Sequence, residues 1–106
     1  MPGSTIIIKS NGDLVSEDHE KSPSLDFLQA AVGGYIEQVP LFTHVEVNGE
    51  RLRCVAFCNE EGKLHGLPLN SVATRMWQTQ VGRPLGDVLV GDILLVVGDA
   101  HFRGEV

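Results

Sequence analysis

The stretch HVEVNGERLRC, residues 44–54, constrains the fold more than any other part of the chain. Asn48 and Gly49 form the pair that a two-residue hairpin loop demands, because both central positions of a type I′ turn need positive φ. The flanks alternate apolar and polar residues with period two, as strands with one buried face do. A two-residue loop sets Val47 opposite Glu50, Glu46 opposite Arg51 and Val45 opposite Leu52. Acid then meets base and apolar meets apolar, so the register is self-consistent; the charge pair specifies register more than it stabilises. The chain is committed to antiparallel pairing.

From that hairpin the rest of the sheet can be read outward. The second strand runs on through CVAFC, and NEEG, residues 59–62, turns it back. Asn59 and Gly62 are turn residues, Glu60 and Glu61 are expected to face solvent at the tip, and a short strand is expected for KLHGL, residues 63–67. Ile93 to Val97 are all apolar after a turn at Gly91-Asp92, which predicts a central strand buried on both faces. Ile6, Ile7 and Ile8 predict a first strand of the same kind. YIEQV, residues 35–39, reads as a strand closed by Pro40. NGDLVSEDHEKS, residues 11–22, reads as a polar, acidic connection with its charges in water. AHFRGEV, residues 100–106, reads as an edge extension or a loose tail.

Two segments carry helical punctuation. In SPSLDFLQAAVGG, Ser22 is the expected N-cap and Pro23 the first helical residue. Asp26 lies in the first turn, and Gly33 or Gly34 supplies the left-handed stop. Leu25, Leu28 and Val32 share one face. In LPLNSVATRMWQTQVGRP, Asn70 is the N-cap; Leu69, Val72, Ala73, Met76 and Gln80 trace one face with Trp77 beside them, and Gly82 and Pro84 end the helix. The order is strand, helix, strand, hairpin, helix, strand. It predicts one α+β domain over residues 1–106, a mostly antiparallel sheet with two helices packed on it.

Composition bounds the partners. With 106 residues, 42% hydrophobic and 21% charged, the chain has globular rather than disordered character. No apolar run approaches the roughly 20 residues of a membrane span, and the start lacks a signal-peptide core, so no membrane partner and a cytoplasmic location are expected. The net charge is −6 without a Lys/Arg-rich block, which argues against general nucleic-acid binding.

Four motifs in order, LQAAVGGYIEQV, NEEGKLHGLPLN, SVAT and GDVLVGDILLVVG, resemble the DUF3846 family over about residues 25–98. The positions that carry the resemblance are Gln29, Gly33, Gly34, Tyr35, Ile36 and Glu37, then Asn59, Glu60, Glu61 and Gly62, then Leu67, Pro68, Asn70, Ala73 and Thr74, and last Gly91. The hairpin at residues 44–54 departs from the family pattern by its greater length. The resemblance implies a phage, plasmid or other mobile-element setting and supplies no reaction.

Chemistry-bearing residues are sparse. Cys54 and Cys58 lie four apart on one strand face, about 13 Å at 3.3 Å per residue, too far to share an ion or a disulfide. They read as small hydrophobes, so with His65 no metal site and no cofactor are expected. The glycines of VGGYIE follow a helix, and a helix C-terminus has the wrong partial charge for a phosphate. Glu60 and Glu61 compete as acid–base candidates with a solvated turn tip, and no catalytic set is assigned. The expected function is a small non-enzymatic binding protein of mobile-element origin. It would act on a host protein or sequester a small anionic ligand such as a signalling nucleotide. Its contact residues are expected to be Tyr35, Glu37, Asn59, Glu60, Glu61, Asn70, Thr74 and Arg75. The alternative is a small enzyme with a Cys/His/Glu site assembled from distant residues, using Cys54 or Cys58 with His44, His65 or His101. A deep pocket pairing histidine with cysteine or glutamate favours the enzyme; a shallow arginine-lined groove favours binding. Homo-oligomerisation through edge residues 43–47 is a further expectation.

Overall fold

The computed structural model describes residues 2–104. In chain order it contains β1 (Gly3–Ile8), β2 (Leu14–His19), α1 (Leu25–Val32), β3 (Ile36–Gln38), β4 (His44–Val47), β5 (Glu50–Asn59), α2 (Ser71–Val81) and β6 (Ile93–Gly98). The hairpin forms in the expected register, Val45 opposite Leu52, Glu46 opposite Arg51 and Val47 opposite Glu50. Asn48 and Gly49 take φ of 52° and 81°, the left-handed pair a I′ turn needs.

The sheet order is β2-β1-β6-β5-β3, with β4 added to the first half of β5, and every pairing is antiparallel. β6 is the middle strand, and Ile93 to Val97 are all buried, as an apolar run covered on both faces should be. Side chains alternate across the pleat. Val55 and Val96 join Phe102 on one face, where Leu28 of α1 packs against them. Cys54, Ala56, Leu95 and Val97 join Ile6 and Ile8 on the other, together with Ala73 and Trp77 of α2. The two helices therefore cover opposite faces of an α+β domain.

Several local expectations are corrected. The acidic segment 11–22 is a strand over half of its length: β2 pairs with β1 from Leu14 opposite Ile8 to His19 opposite Gly3. Five of its six residues are exposed, so its charges do lie in water. Ser22 is not the cap of α1. Its hydroxyl donates to the Phe102 carbonyl, Pro23 stays outside the helix, and Ser24 accepts the Phe27 amide at 3.1 Å instead. Gly33, at φ 79°, closes the helix.

KLHGL is not a strand. Residues 60–66 coil through successive turns in which the His65 amide donates to the Glu61 carbonyl at 3.0 Å and the Leu67 amide to the Gly62 carbonyl at 3.0 Å. Extended pairing resumes only at Leu69, which bridges Val90 and is half exposed rather than part of the buried helix face. The Ile6–Ile8 run is buried at Ile6 and Ile8 and half-buried at Ile7. Residues 100–104 form turns, neither an edge extension nor a loose tail, and seat Phe102 in the second core at 3% exposure. Residues 105 and 106 lie outside the described residues. Apart from these corrections, Gln80 of α2 covers the start of the outer edge of β4. Its side-chain oxygen accepts the Thr43 amide at 2.7 Å and its nitrogen donates to the His44 carbonyl at 3.2 Å. A second chain pairing along 43–47 would have to displace that side chain.

Candidate functional site

Three of the eight expected contact residues are committed to the fold. Asn70 is fully buried: its amide nitrogen donates to the carbonyls of Ile8 and Gly91, both at 2.8 Å, while its oxygen accepts the Ala73 amide at 3.0 Å. It caps α2 and ties that helix to β1 and to the approach of β6. One turn on, the Thr74 hydroxyl donates to the Leu89 carbonyl at 3.3 Å and accepts the Leu89 amide at 2.9 Å. Asn59 donates to the Val32 carbonyl at 3.2 Å and accepts the Glu61 amide at 2.8 Å, fastening the end of α1 to the turn after β5. Glycines make room for this joint. A Cβ on Gly34 would stand 2.8 Å from the Asn59 amide nitrogen, and one on Gly91, at φ 73°, 2.8 Å from Leu67.

The acidic candidates converge. Glu37 on β3 and Glu60 and Glu61 after β5 border a cleft of about 380 Å³, with Asn59, Cys58 and Trp77 among its lining residues. Tyr35 stands beside it, 67% exposed, its carbonyl accepting the Glu60 amide at 2.8 Å. Asp87 adds a fourth acid and Lys63 the cleft's one lysine. These two are paired, and the hydrogen bond from Lys63 holds the Asp87 carboxyl below the ordinary carboxylate value. Burial, reinforced by the nearby Glu37 carboxylate, pushes the Cys58 thiol up, away from the reactive thiolate. No histidine is among the lining residues, so the cleft brings no histidine to Cys58. The Trp77 ring is core, as its helical spacing predicts, and its N–H donates to the Pro40 carbonyl at 2.7 Å.

Arg75 lies elsewhere, on the exposed side of α2, and borders a larger groove of about 900 Å³. Its reachable apolar surface comes from Leu14 of β2, which is exposed, and from half-buried Val47 of the hairpin and Val72 and Met76 of α2, while Ile6, Ile8, Val45 and Leu95 lie buried beneath. Arg51 and Arg75 stand at its rim with His44, against one acid, Glu46. The groove contains no cysteine. The sequence offers Arg51 and Arg75 as cations that could clasp a ligand and His44 as a partner for cysteine, but no spacing along the chain announces that they meet at one groove. The long hairpin itself was the available signal. Among the described residues no group of three or more His, Cys, Asp or Glu is arranged to hold a metal ion, and no helix is long and apolar enough to cross a membrane.

Fold and surface together define a small α+β domain with helices on opposite faces of one antiparallel sheet and two grooves of opposite charge. The chain belongs to the DUF3846 family, a domain of unknown function, whose family model matches residues 4–104, nearly its full length. No curated protein and no solved structure matches it.

Proposed function

We propose that this is a non-enzymatic binding protein that captures a short apolar segment of another protein, carrying acidic side chains, in the groove between the β4–β5 hairpin and α2. The observation that carries the reading is the composition of that groove: accessible apolar side chains of Leu14, Val47, Val72 and Met76 beside the exposed cations Arg51 and Arg75. Apolar side chains of the segment would leave water against Leu14, Val72 and Met76, and its carboxylates would take charge-assisted hydrogen bonds from the guanidinium forks. Met76 in the wall suits irregular partners. A signalling nucleotide would satisfy the arginines, but apart from His44 the groove offers no ring on which a base could stack. A protein segment is the better fit. The setting proposed with it is the cytoplasm of a cell carrying a phage or plasmid, the segment belonging to a host protein.

The test is an NMR titration of the whole protein with a leucine- and glutamate-containing peptide and its lysine-for-glutamate counterpart. Shifts confined to groove residues such as Val45, Val72 and Met76, at least tenfold weaker binding by Arg51→Glu plus Arg75→Glu, and no response to the lysine peptide are expected. Equal response to both peptides, or shifts outside the groove, would sink the proposal.

A further inference from the structure

The turn at residues 60–66 has the chemistry the groove selects. Leu64 is 79% exposed, the highest value among the exposed large apolar side chains, and it follows two exposed acids, Glu60 and Glu61. The turn is held in shape by the Glu61 amide on Asn59, by backbone bonds from His65 to Glu61 and from Gly66 to Lys63, and by the Lys63–Asp87 pair. A leucine presented on a fixed turn binds with less ordering cost than one on a flexible tail. Around it the cleft sets four acids, Glu37, Glu60, Glu61 and Asp87, against Lys63; around the groove stand Arg51 and Arg75 against Glu46. Groove and turn share no residue. They flank opposite ends of β5, whose ten residues extend about 30 Å at 3.3 Å per residue.

Resting on the groove as a binding site for apolar, acid-bearing segments, we propose that, until a host segment takes its place, the groove holds the 60–66 turn of a second copy of this chain, Leu64 against Leu14, Val72 and Met76 and Glu60 and Glu61 beside Arg51 and Arg75. The surfaces that meet are different, so the contact is heterologous. Each pair leaves one groove and one turn free, and assembly continues into a ring or an open filament. Gln80, which covers the start of the β4 edge, points the same way: association runs through side chains in the groove rather than through strand pairing at 43–47.

Sedimentation velocity on two complementary variants tests this. Leu64→Asp spoils the turn and leaves the groove; Arg75→Glu spoils the groove and leaves the turn. Both positions are exposed, so the fold tolerates the change, which circular dichroism verifies. The wild type is expected to grow in mass with concentration while each variant alone remains at 11.5 kDa. An equimolar mixture is expected to form a pair of twice that mass and stop there, because the pair's free surfaces are both disabled. A wild type that stays monomeric, a variant that still assembles alone, or a mixture that does not pair overturns the proposal. If the leucine–glutamate peptide still shifts groove residues in that case, the groove reading stands without self-assembly; if it does not, both fall.

Discussion

A single amide, Asn70, joins three parts of the fold. Its role as a helix cap is legible in the sequence because capping is local: an Asn stands just before an apolar periodic run. Its two other hydrogen bonds are not legible, since one reaches Ile8 across 62 residues and the other Gly91 across 21. The same holds for Asn59 and Thr74, expected to contact a ligand yet spent on carbonyls and amides within the chain. Polar residues in a memorable motif attract functional readings, but in a small sheet protein they also fasten loops. Replacing Asn70 with Ala removes the cap and strands two buried carbonyls, which should cost about 3–5 kcal/mol in urea unfolding. Asn70→Asp keeps the cap acceptor but offers no donors, so it should be nearly as damaging. A loss under about 1 kcal/mol for either variant would show that water replaces those bonds readily.

Elements were legible where two signals agreed. The β4–β5 hairpin carried both turn chemistry and alternation, and β6 carried both an apolar run and a preceding glycine turn, so each was placed correctly. β2 carried neither. As an edge strand with five exposed residues it shows no buried face, and its pairing with β1 is the property that defines it. α1 began later than its first serine suggested because Ser22 is engaged by Phe102, eighty residues on. An element-scale device deserving a direct test is Gln80, which meets β4 as a neighbouring strand would. Gln80→Ala should speed hydrogen exchange of the Thr43 amide several-fold while leaving β6 amides protected. Unchanged exchange at Thr43 would mean that the side chain does not guard the edge.

At the scale of the molecule, the candidate grooves were hidden from the sequence because each gathers residues from separate elements. The larger one unites β1, β2, the hairpin, α2 and β6, and no spacing along the chain announces that meeting. What was legible was their raw material, the long hairpin with Arg51 and the acid pair beside Leu64. The sheet order also has a consequence in time. Among the described residues β6 is the last strand in sequence and the middle one in space, pairing with β1 from Gly98 opposite Gly3 and with β5 from Val97 opposite Cys54. During synthesis the β1–β2 and β4–β5 hairpins must wait as separate pieces until residues 93–98 are available to join them. Such late, non-local closure makes for slow folding, on the order of milliseconds to seconds. Leu95→Ala, in the joining strand, should then slow refolding roughly tenfold when followed by Trp77 fluorescence. If it hastens unfolding alone, the halves meet by another route; if refolding slows, the final strand sets the rate at which this protein comes into being.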